Sequence, residues 1–512
     1  MKFFKDLDQG VKDVFTGPSH KENLFALNKR VPIANAIPFG LQHVLAMFAG
    51  NIAPIILVFS ALGLLNTSFA VNALLGALFV AGLGTIGQLL LGARLPVVIG
   101  TSFTFVPIFI TIGVSAGGGE AAYYTIMGSV IVGGAFATLF SLLYRWWGRI
   151  IKPIVPAIVI LGVGFSLLAS GATSFFGGSE VIKSIIETGK TPSGVPYFCY
   201  IIVALVTLLT ALLWSLFIKG VWKNVNIVVG IIVGFIVSCF IPGMVDFSKL
   251  AVDTSDLIGP HGILNYPHLI NLSKIRIEFV PCLLVSVCYI VSFIETIGNT
   301  TGLAKAGLER EPTRREVIGT LAFDGFNSAL AAMFGALPLT TYSENVGIVA
   351  QNKVVNRFTL FVGALFLILA SFFPPVANFI YAIPDAVIGG TMVMLFGSIA
   401  VIGMKSVSEV GWSDKNIMIV AISVCLGFGL TIAKVTLASG EVRMVTDLFA
   451  SLDHNVEWLG DLLSNSMLNM FVVSLILSWA LPESMHIALF HKKEKEEKSQ
   501  EPKEEETEDK VD

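Results

Sequence analysis

Charge is scarce in this sequence: only 13% of its 512 residues are Asp, Glu, Lys or Arg, against roughly 25% in an ordinary soluble domain. With 54% hydrophobic residues and a mean hydropathy of +0.80, a soluble fold would have nowhere to bury so much apolar surface. The charge present is also unevenly spread. Residues 491–512 hold six Lys and ten acidic residues, 16 of the 69 charged side chains, so the rest of the chain is more apolar still. A basic face is missing too: the net charge of -3 argues against a nucleic-acid binder. The five cysteines, Cys199, Cys239, Cys282, Cys288 and Cys425, form no C-x-x-C pair, which argues against a metal site or disulfide framework. They read as small hydrophobes. There is no H-E-x-x-H, P-loop or paired-aspartate motif, so neither an enzyme nor a cofactor is expected. Without a P-loop the chain is no ATPase, and energy must come from an ion gradient or the substrate's own. Residues 1–30 are polar and lack the short apolar core of a removable signal peptide.

What is present in quantity is long apolar runs. A spanning helix needs roughly 20 apolar residues, and such runs lie near 38–62, 69–91, 122–144, 153–171, 195–218, 226–243, 277–303, 316–335, 358–380, 384–404, 416–435 and 467–487. Two further stretches, near 95–112 and 338–356, are short and broken by Pro, Gly, Ser and Thr. Together they predict an all-α polytopic membrane protein of about fourteen segments. Cytoplasmic loops are enriched in Lys and Arg. With Lys21, Lys29 and Arg30 inside, Arg94, then Arg145, Arg149 and Lys152, then Lys305, Arg310, Arg314 and Arg315, then Lys405 all fall on that same side. An even number of spans returns the tail, 491–512, to the cytoplasm, where its composition predicts disorder. The segment 436–466 is too polar to span and is expected outside, as a candidate interfacial helix.

The broken segments are the informative ones, because short Gly/Pro-interrupted hydrophobic segments at matching places in two halves point to a transporter's binding site. Each is third in a set of about seven, and seven is odd, so such a repeat would be inverted. Setting Pro96 on Pro338 aligns PVVIGTSFTF with PLTTYSENVG and brings Ser102 opposite Glu344 and Phe103 opposite Asn345. Non-helical backbone at membrane depth must be buried in protein or line a cavity, so the two stretches predict a polar pocket near the midplane.

Three acids lie in apolar surroundings within fifty residues: Glu295, Asp324 and Glu344. Each costs on the order of 2.5–3.5 kcal/mol at a helix centre, and Glu295 is the most deeply placed. A carboxylate accepts hydrogen bonds when ionised and can donate one when protonated. A pair of them therefore suits a planar ligand rich in ring N–H groups, with a proton as co-substrate. Asn299 stands four residues after Glu295, on its helix face, and Asn345, Thr341 and Ser102 could complete the recognition. Gln42 and His43 occupy successive positions of an otherwise apolar first span, with Asn51 two turns on.

These residues resemble the nucleobase-ascorbate transporters, the group holding bacterial uracil and xanthine permeases, over about residues 25–490. The resemblance rests on Gln42-His43, the acid of ETIG (Glu295), Asp324-Gly325, and ENVGIVAQNK (344–353), which includes Gly347. It implies a seven-plus-seven inverted repeat in which about 38–144 and 277–380 form a substrate-carrying core, and about 153–243 and 384–487 a gate. It further implies a homodimer in the inner membrane, importing a nucleobase with protons, sodium being the alternative coupling ion. Glu295 and Glu344 would bind the base, with help from Asn345, Asn299, Ser102 and Phe103. Glu295, His43 and Asp324 would handle protons, and Gln42, Thr341 and Gly347 would support them. The family signature usually has Thr where Asn352 stands, and uracil permeases have His, xanthine permeases Asp, where Asn299 stands. Glu344 is the uracil-type residue, so uracil, xanthine and other purines such as uric acid stay open. Three rivals remain: a sulfate-carrier-type anion transporter, which would normally append a folded cytoplasmic domain; a channel; and a membrane-embedded enzyme.

Overall fold

The computed structural model describes residues 2–65, 67–219, 223, 225–250, 262–437, 442–448, 460 and 463–482. The predicted tail, 491–512, lies outside them, as does most of the segment 436–466. An N-terminal helix, α1 (Lys2–Phe15), precedes the first apolar helices, α2 (Ile33–Ala61) and α3 (Ser68–Leu90). The first broken segment follows as strand β1 (Ile99–Thr101), a 3-10 turn over Phe103–Phe105 and the short helix α4 (Val106–Ser115). Next come α5 (Gly119–Leu142), α6 (Tyr144–Trp147), α7 (Ile154–Phe175), α8 (Ser179–Thr188), α9 (Tyr197–Phe217) and α10 (Asn226–Cys239). The second half holds α11 (Phe279–Leu308), α12 (Arg314–Met333), strand β2 (Leu339–Thr341), α13 (Ser343–Asn352), α14 (Arg357–Ala370), α15 (Pro374–Ala382), α16 (Asp385–Val410), α17 (Asp414–Ile432) and α18 (Ser466–Ala480).

Among the described residues, eight helices are long and apolar enough to cross a membrane, or nine if α14 and α15 count as one span. The 20-residue α12, with Asp324, Asn327 and Ser328 near its middle, is not among them. It starts from a full capping box, in which Thr313 takes the Glu316 amide and Glu316 reaches back to the Thr313 amide, so the orphan donors at its first turn are satisfied. The run 358–380, read as one span, breaks between α14 and α15 with a bend of 81°. Pro374 and Pro375 supply no amide hydrogens and cannot continue the preceding helix. At the start of the polar segment near 436, Lys434–Thr436 pairs antiparallel with Val442–Met444; most of the stretch expected to form an interfacial helix lies outside the described residues.

The helices sort into two packing groups. In one, α5 packs on α12 and α11, and α14 on α3 and α2; in the other, α7 packs on α16 and α18, and α9 on α10 and α16. Small residues allow the close crossings, as is common where lipid supplies no hydrophobic drive between helices. A Cβ on Gly325 of α12 would lie 2.7 Å from the Thr138 amide nitrogen of α5, and one on Gly164 of α7 would lie 2.5 Å from Ala400 Cα of α16. The groups meet where α2 touches α10 and where α11 touches α7 and α18.

Candidate functional site

β1 and β2 pair antiparallel deep among the helices, Ile99 opposite Thr341 and Thr101 opposite Leu339. The pairing extends one step at each end: the Ser102 amide donates to Pro338 O over 2.9 Å and the Tyr342 amide to Val98 O over 3.1 Å. Backbone that leaves the helix inside a bilayer must find partners within the protein, and each stretch finds them in the other. Matching the strands puts Ser102 at the place of Tyr342 and Thr104 at that of Glu344. This corrects by two positions the alignment drawn from the prolines: Pro96 stands three residues before its strand, whereas Pro338 stands one before. Each strand then feeds a helix start, at Phe103–Val106 and at Ser343–Asn345, where the first-turn amides have no partner within their own helix.

Side chains from α2, α11 and α12, and that of Tyr342 just after β2, hold the strands. Asn51 of α2 accepts from the Thr101 amide (2.7 Å) and hydroxyl (2.8 Å). Tyr342 donates its phenol to Thr101 O over 2.8 Å. Asn299 of α11 donates to Thr341 O, also over 2.8 Å. Ser328 of α12 donates to Leu339 O and accepts from the Leu339 amide, both at 3.0 Å.

A narrow cavity of about 20 Å³ lies between the two helix starts, far smaller than the roughly 300–1,000 Å³ common for small-molecule sites. Ser102, Phe103, Glu295, Thr341 and Ser343 line it from one packing group, Val163 of α7 and Ile399 of α16 from the other. Glu295 accepts a 2.7 Å bond from the Thr104 hydroxyl, which fixes one carboxylate oxygen. Ser343 and Ile399 also wall a larger vestibule of about 310 Å³ that extends to Lys223, Asn226 and Gln351.

The remaining sequence candidates stand behind this cavity. Asn299 and Asn345 line a smaller adjoining one of about 10 Å³, with Thr341 on both. Asp324 is a step further back: it accepts from Thr296 (2.8 Å) and Gln88 (2.8 Å), and Thr296 in turn lies 3.0 Å from the Thr340 hydroxyl. His43 Nδ1 is 3.1 Å from the Asn345 amide nitrogen, and both residues are fully buried. Gln42 accepts from Asn352 at the far end of α13 over 3.2 Å. Gly347 walls the vestibule, and a Cβ there would meet nothing within 4 Å. Glu344 is the second residue of α13, but its side chain lies outside the described residues.

Sequence reasoning missed several partners. Thr104 belongs to the same SFTF stretch as Ser102 and could have been found as a second hydroxyl in a broken segment. Gln88 is the lone amide in an otherwise apolar helix face, and it also takes the Ala93 amide over 2.9 Å. Val163 and Ile399 carried no signal, being two aliphatics among dozens. Among the described residues no group of three or more His, Cys, Asp or Glu could hold a metal ion.

Comparison with known proteins adds the following. Residues 34–436 match the xanthine/uracil permease model, described as "Permease family". Xanthine permease XanP of Escherichia coli is 28% identical over 478 residues, 90% of this chain and 95% of XanP. Nucleobase transporter PlUacP of Paenibacillus larvae is 29% identical over 405 residues, 78% of this chain and 87% of PlUacP. Among solved structures, the transmembrane domain of the cyanobacterial bicarbonate transporter BicA superposes with a TM-score of 0.53 at 13% identity, covering 87% of this chain and 97% of that domain. The murine anion transporter Slc26a9 in its inward-facing state gives 0.52 at 14% identity, with 81% and 70% coverage. At these identities the structures share the fold alone.

Proposed function

This chain belongs to the nucleobase-ascorbate transporter family, and from that premise we propose that it imports a nucleobase of the uracil or xanthine class by proton symport. It is a multi-pass membrane transport protein and not an enzyme. The observation that carries the cargo reading is the Glu295 carboxylate, half-buried between two helix starts on the wall of a narrow polar cavity.

On this reading a base lies in the cavity with its ring N–H groups donating to Glu295 and to Glu344. Its carbonyl oxygens accept from the backbone N–H groups near Ser102 and Asn345, where the helix dipoles favour negative charge. Phe103 offers an aromatic face, and Val163 and Ile399 cover the other. Asn299 and Thr341 hold β2 in register, Gln42 and Gly347 support α13, and His43 and Asp324 tune protonation from behind. The same site would admit xanthine, uracil or uric acid, which differ mainly in ring size and carbonyl placement. A divalent anion fits less well, because like charges repel strongly where little water screens them.

The packing supports an inverted repeat of seven plus seven segments. Counting each broken segment as one span, every major contact has a counterpart when each helix is exchanged for the one seven places on. The pair α5 and α12 becomes α14 and α3, α11 and α5 becomes α2 and α14, and α17 and α18 becomes α9 and α10. The first packing group is then the core that carries the base and the second the gate, in a homodimer of the inner membrane with both termini cytoplasmic. The vestibule would face the cytoplasm. Uptake of labelled uracil and xanthine into proteoliposomes under an imposed pH gradient tests the function. Accumulation that follows sodium and ignores pH would overturn the coupling, and normal affinity in Glu295→Gln would overturn the site.

A further inference from the structure

A second cavity, of about 130 Å³, lies where the two packing groups meet. Ile52 and Ile56 of α2 and Ile380 of α15 wall it on one side, Ile231 and Ile232 of α10 and Met392 of α16 on the other. Its single hydroxyl, that of Thr391, is already given to Ile388 O over 2.7 Å, so the walls offer no free hydrogen-bonding group. Water needs two to four polar partners to be held in such a space, and a nucleobase would leave every ring N–H and carbonyl unpaired. Only hydrocarbon suits it.

The lateral side of the cavity indicates where that hydrocarbon comes from. Ile232 lines the cavity and is also 46% exposed on the outer face of α10, next to Ile236 at 50%. The wall is therefore continuous with the apolar belt that faces the bilayer, where acyl chains are the solvent. Phe235 and Phe379, in edge contact at 5.0 Å, bridge α10 and α15 beside it. We infer that this cavity is a lipid site, taking one phospholipid acyl chain that enters past Ile232 and lodges between the two packing groups. Ile227 and Leu395 wall both this cavity and the vestibule, so the seated chain borders the route to the candidate site. Any sliding of one group against the other must deform or expel it. The inference depends on the cavity and the bilayer alone and holds whichever cargo is carried.

The test is photolabelling of the full chain reconstituted in phosphatidylcholine vesicles doped with a lipid carrying a diazirine in its acyl chain, followed by peptide mass spectrometry. Ile56, Ile380 and Met392 are buried, at 5%, 1% and 2% exposure, and annular lipid cannot reach them. Adducts on these three are the expected result, with loss of those adducts, but not of adducts on exposed belt residues such as Leu212 and Leu213, in Ile231→Trp. Labelling confined to the belt in the wild type would overturn the proposal. So would buried-wall labelling unchanged in Ile231→Trp, since filling the space must then leave the access path untouched.

Discussion

Thr104→Val is the most informative single change at the candidate site. Valine keeps the shape of threonine, so no cavity is created, and what disappears is the 2.7 Å hydrogen bond from the hydroxyl to Glu295. A hydrogen bond to a charged group contributes about 1.5–3 kcal/mol. In the empty carrier the cavity has room for a water, which can replace the lost donor, so the empty protein loses little. With a base seated, water is excluded and the lost donor is not replaced. Most of the loss therefore falls on the loaded state, and at about 1.4 kcal/mol per tenfold the affinity should drop by roughly ten- to a hundredfold. Isothermal titration of purified protein with the preferred base reads this directly, with Thr104→Ser as the control that restores the donor. Wild-type affinity in Thr104→Val, alongside a marked loss in Glu295→Gln, would refute the argument that Thr104 holds the carboxylate in place.

Further outcomes follow from the same geometry. Asp324→Asn keeps the size of the group that Thr296 and Gln88 contact but removes its titration. If Asp324 couples protons, exchange of labelled for unlabelled base across the vesicle membrane persists while accumulation driven by a pH gradient is lost. Loss of both, or of neither, would contradict that role. Arg357, 1% exposed, donates to Leu89 O (2.8 Å) and to Asn28 of the N-terminal segment. Arg357→Met should cost about 3 kcal/mol or more, two charged hydrogen bonds at about 1.5–3 kcal/mol each, and lower the melting temperature with little change in the affinity of the protein that stays folded. An unchanged melting temperature would show that the clasp between the N-terminal segment and α3 contributes nothing.

How much of this could be read from the sequence varies with the physics behind each feature. The long apolar helices were legible because a bilayer admits few other solutions. The two broken segments were legible through Pro, Gly, Ser and Thr. Their pairing register was not, because strands of three residues carry no alternation, and the prolines used to align them stand at different distances from the strands. Glu295 could be found because a carboxyl group among Val, Ile and Phe is costly enough to need a reason. Asn345 and Asn299 were found as polar residues, and they line the adjoining cavity, which shares Thr341 with the one beside Glu295. Val163 and Ile399 come from helices more than two hundred residues apart in the chain, and only packing brings them to the cavity. The break between α14 and α15 was signalled by Pro374-Pro375, but the apolar residues on both sides masked it as one run.

The central claim is that the cavity beside Glu295 binds a nucleobase, and binding to the purified protein tests it most directly. A ligand that binds only the folded state stabilises it by about 2.7 kcal/mol at a hundred times its dissociation constant, which a thermal-shift series with uracil, xanthine, uric acid and sulfate can detect. The account predicts a raised melting temperature with at least one of the three bases, none with sulfate, and loss of the shift in Glu295→Gln. A shift with sulfate alone, or a base-induced shift that survives Glu295→Gln at full size, would contradict it.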